Sequence, residues 1–101
     1  MKVRQIRAPD TSGLLDYAFF CPGCGRHHVV HVRTGESGLG WSYNGDPDRP
    51  TFSPSVSVQH TLDGAFYVCH SEVQDGRIRF FEDSTHLLAG ETVELPDMET
   101  P

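Results

Sequence analysis

The segment Cys21-Pro22-Gly23-Cys24-Gly25 constrains what this chain can fold into more than any other stretch. Pro22 pre-sets one turn of the backbone, and the two glycines allow the positive φ that a tight loop around two sulfurs requires. Such a turn wraps a metal ion, with its amides pointing at the two thiolates. A third cysteine, Cys69, lies far along the chain and is followed at once by His70. A closed tetrahedral zinc site takes four ligands, so the spacing predicts a site assembled from two separate segments: Cys21 and Cys24 from one, Cys69 from the other. For the fourth ligand His28 ranks first, because it can fold back on a strand returning from the turn. His70 ranks second, since on a strand it points away from its neighbour Cys69, and His86 third. At 101 residues the chain reads as one domain, 1–101, with a modest core that a metal cross-link would reinforce. Residues 1–10 read as an edge strand or arm and 97–101 as a loose tail.

Two other uses of the cysteines fit less well. Three is an odd number for a disulfide framework. A thioredoxin-type dithiol opens a helix, whereas His27-His28-Val29-Val30-His31-Val32 is β-branched and strand-like. A net charge of −6 disfavours a phosphate-backbone partner and so a nucleic acid. There is neither a signal peptide nor an apolar stretch long enough to span a bilayer, so a cytoplasmic chain with no membrane role is expected. That leaves a protein substrate or partner.

The remaining pattern predicts a mostly β domain of antiparallel hairpins with a zinc knuckle and one short helix. Tyr17–Phe20 and Val29–Arg33 read as strands on either side of the knuckle. Trp41-Ser42-Tyr43, Val56–His60, Ala65–Cys69, Ser71–Val73, Arg77–Phe81 and Thr92–Leu95 read as further strands, and Gly35–Gly40 as a loop. Asp63-Gly64 and Asp75-Gly76 are hairpin turn signals. Pro50 and Pro54 lack amide donors, which argues against a central strand there and for an extended segment with irregular hydrogen bonding. Ser84–Ala89 reads as the helix, capped by Asp83 or Ser84 and ended by Gly90.

Two stretches could carry chemistry besides the metal. Asp83-Ser84-Thr85-His86 puts an acid, a hydroxyl and an imidazole close together. Ser84 is then a candidate nucleophile and His86 its base, although His86 reaches Ser84 only through a bent backbone, which makes His70 the rival base. The same four residues also read as an ordinary capped helix start. In Arg49-Pro50-Thr51-Phe52-Ser53-Pro54-Ser55, the hydroxyls of Ser53 or Ser55 are rival nucleophiles in a Pro-shaped segment.

Six pieces occur in order: Cys-Pro-Gly-Cys-Gly-x-x-His from Cys21 to His28, Trp41-Ser-Tyr-Asn-Gly, Pro50-Thr-Phe-Ser-Pro-Ser, Cys69-His-Ser, Asp75-Gly-Arg-Ile-Arg-Phe, and Asp83-Ser-Thr-His-Leu-Leu-Ala-Gly. Together, over residues 18–96, they resemble the BubE family of small bacterial and phage proteins. The resemblance implies a compact zinc-containing domain. Some relatives occur in operons for ubiquitin-like conjugation, where a serine-peptidase role in processing the ubiquitin-like protein is suggested. By position, the family's metal motifs fall on Cys21, Cys24, His28, Cys69 and His70, and its Asp-Ser-x-His motif falls on Asp83, Ser84 and His86.

The sequence therefore leads to a zinc-stabilised serine-type hydrolase that processes a ubiquitin-like or other protein tail, with Ser84, His86 and His70 as candidate catalytic residues. Cys21, Cys24, His28 and Cys69 are its metal ligands. The alternative is a non-catalytic, zinc-ribbon-like module that binds a protein partner.

Overall fold

A computed structural model describes residues 1–6, 14–33 and 40–98. The described chain is mostly β and contains no helix. Strand β1 (Arg4–Gln5) lies at the edge of β2 (Leu14–Cys21), which pairs antiparallel with β3 (Arg26–Arg33). The cysteine turn joins β2 to β3. Period-two alternation along β3 turns His28, Val30 and Val32 inward and leaves His27, Val29 and His31 outside. Strands β4 (Ser42–Tyr43) and β5 (Phe52–Ser53) form a two-stranded ribbon. Pro50 and Pro54 flank β5, outside the ladder, where a missing amide costs nothing.

The second half is an antiparallel meander of β6 (Val56–Leu62), β7 (Ala65–Gln74), β8 (Arg77–Phe80) and β9 (Thr92–Glu94). Its first two hairpins turn on Asp63-Gly64 and Asp75-Gly76. Both residues of each turn have positive φ: 51° and 80° in the first, 50° and 79° in the second. This is the two-residue geometry whose twist matches the flanking strands, and it pins the register: Leu62 faces Ala65, and Gln74 faces Arg77. One core joins the three sheets, with Phe19, Val30, Phe52, Val73, Ile78 and Phe80 buried together. Phe52 stacks between Phe19 and Tyr43, at ring distances of 6.2 and 5.0 Å.

The short helix expected over Ser84–Ala89 does not form. Its first residues bond to β7 instead. The Thr85 amide donates to the Val68 carbonyl at 2.9 Å, and the Thr85 hydroxyl accepts from the Val68 amide at 3.1 Å. Ser84 treats His70 similarly. Serine and threonine hydroxyls can cap a helix or bond a neighbouring backbone, and here the strand takes them. The following Leu87 is 99% exposed and only Leu88 of the segment's leucines packs against the core, too little apolar contact to hold a helix down. The expected Gly35–Gly40 loop falls mostly outside the described residues, as do residues 7–10 of the expected arm and 99–101 of the expected tail. At the chain ends that are described, the Met98 amide donates to the Met1 carbonyl at 2.7 Å, and the Met1 ammonium contacts Asp97 at 2.6 Å.

Candidate active site and metal centre

Strand β7 carries Cys69 and His70 side by side, so alternation sends them to opposite faces of the meander. On the inner face, Cys69 meets Cys21 and Cys24 from the turn and His28 from β3. The ligand atoms of these four all lie within 4.8 Å of one another. Cys21, His28 and Cys69 are buried, and Cys24 is partly so. The turn is shaped for sulfur: the Cys24 amide donates to Cys21 Sγ at 3.4 Å, and the Gly25 amide donates to the Cys21 carbonyl at 2.9 Å. Gly23 leaves room for the His86 ring, which a Cβ there would meet at 2.4 Å.

Three sulfurs and an imidazole form a soft, closed donor set that could hold a metal ion and suits zinc. Two observations fit a cation at this point. His28 Nε2 is buried with no hydrogen-bond partner, a deficit of about 1–3 kcal/mol for a polar atom that coordination would remove. The thiols also compete for their protons. Cys21 Sγ lies 3.8 Å from Cys69 Sγ, and this contact is the main cause that lowers the Cys21 thiol to about 4, with His28 and the Cys24 amide helping against burial. The same contact, then burial, pushes Cys69 up, and burial pushes Cys24 up. A divalent ion would favour the thiolate of all three.

On the outer face, His70 is the centre of a different arrangement. Its Nε2 lies 3.1 Å from Ser55 Oγ, and its Nδ1 lies 3.2 Å from both carboxylate oxygens of Asp83. The Phe81 ring packs against the imidazole at a centroid distance of 4.3 Å. A hydroxyl, an imidazole and a carboxylate in hydrogen-bonded series are the parts of a serine nucleophile, its base and the group that orients the base. An Asp83 carboxylate on Nδ1 fixes the proton there and leaves Nε2 free to accept from Ser55.

Ser84 and His86 sit elsewhere. The Ser84 hydroxyl donates to the His70 carbonyl at 3.1 Å and accepts from the His70 amide at 3.0 Å, so it clamps the main chain of the histidine. His86 lies edge-on to Phe80 at 4.5 Å and accepts from the Leu88 amide through Nδ1 at 3.2 Å. No hydrogen bond joins His86 to Ser84 among the described residues. In the sequence Asp83 lies close to Ser84 and His86 while Ser55 is only a rival nucleophile, and no local pattern connects Asp83 to Ser55 through His70. The signal was the pair of Asp-Gly turns. Two-residue loops fix register, and these two bring Ser57 opposite His70 and Ser71 opposite Phe80, which sets Ser55, His70 and Asp83 along one face.

A family model described as bacterial ubiquitination-like system serine protease (BubE) matches residues 4–81. The chain belongs to the BubE family. The matched range takes in all four residues of the metal cluster together with Ser55 and His70. No curated protein and no solved structure matches the chain. Among the described residues no helix is long and apolar enough to cross a membrane.

Proposed function

We propose that this BubE protein is a serine protease with Ser55 as nucleophile, His70 as general base and Asp83 as the group that orients it. The hydrogen-bonded series Ser55–His70–Asp83 carries the reading. In this mechanism His70 Nε2 takes the Ser55 proton as Oγ attacks a peptide carbonyl. Asp83 stabilises the imidazolium, and His70 then gives the proton to the departing amine. Water, activated by the same imidazole, releases the acyl group from Ser55. Ser84 holds the histidine in place through its main chain. Its one hydroxyl proton is committed to the His70 carbonyl, which makes it a poorer nucleophile than Ser55.

Zinc is the metal proposed for Cys21, Cys24, His28 and Cys69. Four protein ligands leave no open position, so its role is to tie the early β-hairpin to β7 and thereby fix His70. The family description points to a protein substrate in a ubiquitin-like system, and a peptide tail is the form that an open sheet face accommodates. The competing reading, a non-catalytic module that binds a protein, draws support from Phe66 and Leu62 at the β6–β7 tip, 59% and 54% exposed.

The test is turnover of a ubiquitin-like protein carrying a C-terminal extension, and of fluorogenic peptides, by the wild type, Ser55→Ala and Ser84→Ala. Loss of turnover in Ser55→Ala with measurable turnover in Ser84→Ala supports the assignment. Turnover that survives Ser55→Ala sinks it.

A further inference from the structure

The face that holds Ser55 continues past it into a small cleft of about 200 Å³, whose lining includes Ser53, Ser55, Glu72 and Gln74 beside the apolar Phe52 and Val73. This is below the roughly 300–1,000 Å³ of pockets that enclose a whole small molecule, and it suits a single side chain. The nucleophile forms part of the wall, so whatever fills the cleft lies next to the bond under attack.

Glu72 is the only charged residue among those lining it. It follows His70 by two positions on β7 and so shares the outer face. The residue paired with it across the sheet is Arg79. The Arg79 guanidinium is instead turned over the Phe81 ring, 4.9 Å from its centroid. Among the described residues the Glu72 carboxylate has no hydrogen bond and no ion pair, although Arg77 and Arg79 line an adjoining cleft with it. Half-buried in a cleft, a carboxylate without a partner attracts a cation more strongly than one in open solvent. The Ser53 hydroxyl and the amide oxygen of Gln74 add acceptors suited to N–H donors, while the Thr51 hydroxyl already accepts from the Asp75 amide at 2.8 Å.

We propose that Glu72 makes this cleft a subsite for an arginine or lysine side chain flanking the scissile bond. The proposal rests on the serine-protease reading for its link to cleavage, but the binding it requires is independent of turnover. Charge selection by one carboxylate beside a catalytic serine is a known way for a protease to choose its peptide bond.

The test uses peptides Ac-Ala-Ala-Xaa-Gly-Ala-amide with Xaa as Arg, Lys, Gln or Glu, titrated by NMR into Ser55→Ala, Ser55→Ala/Glu72→Gln and Ser55→Ala/Glu72→Lys. The Arg and Lys peptides are expected to bind at least tenfold more tightly than the Gln peptide, with amide shifts at Ser53, Glu72 and Gln74. Glu72→Gln should erase that preference, and Glu72→Lys should transfer it to the Glu peptide. These results support the subsite even if the wild type cleaves none of the peptides, an outcome that would count against the protease reading alone. Equal binding of the Arg and Gln peptides, or a preference that survives Glu72→Gln, overturns the subsite whether or not the peptides are cleaved.

Discussion

The two faces of β7 obey different rules. On the inner face, Cys69 joins residues that are remote in sequence, in a cluster of four side chains of which three are buried. On the outer face, His70 joins residues from its own hairpins, and its Asp83 partner is 62% exposed. On the proposed reading the inner site ties the fold together and the outer one meets the substrate. A strand's period of two lets adjacent residues serve both ends without interference. In that reading the two are coupled, and the outer site takes its position from the inner one, because Cys69 and His70 are adjacent on β7.

The largest expected effect breaks that coupling. Cys69→Ala removes a ligand and should cost the metal, the folded state and turnover together. Structural zinc contributes roughly 10–16 kcal/mol in small zinc domains, comparable with the total of about 5–15 kcal/mol that a typical domain has. Metal content, circular dichroism and turnover should fall in parallel, and strong chelators should reproduce the loss. Next comes Ser55→Ala, which should lower kcat by about 10⁴-fold or more while metal content and melting temperature stay put. Asp83→Asn should cost less, about 10²-fold in kcat, at the low end for positioned proton transfer, because solvent already reaches the carboxylate. Ser84→Ala removes both bonds to the His70 main chain. It should lower stability by about 1–2 kcal/mol in denaturant melts, with a several-fold loss of turnover.

The smallest effect is a control away from both sites. The Lys2 ammonium, 2.6 Å from Glu94, and then Arg77 hold the Glu94 carboxyl below its usual 4.5. A lowered pKa in the folded state gives stability that is present above 4.5 and fades as pH falls through the folded value. Glu94→Gln should therefore flatten stability slightly in that acid range, leaving metal content and Ser55 reactivity unchanged.

Much of this was legible in the chain. The cysteine turn with Cys69 and His28 marked the inner cluster, because turn chemistry and thiol spacing are local signals. Asp63-Gly64 and Asp75-Gly76 marked the hairpins, because only the two-residue geometry suits them. The helix was misread because Ser84 and Thr85 satisfy helix caps and strand backbones equally well, and only the position of β7 decides. The outer series stayed hidden for a related reason. Proximity in sequence points to Ser84 with His86 or His70 as its base, whereas the register of two turns sets Ser55, just before β6, beside His70. Local pattern names the parts, and pairing across strands selects among them.

Native mass spectrometry of the fluorophosphonate-treated protein, followed by peptide mapping, tests the central claim most directly. The account predicts one zinc and one phosphonyl group per chain, with the adduct on Ser55 and none after His70→Ala. An adduct on Ser84, or a folded, reactive chain without metal, would contradict it.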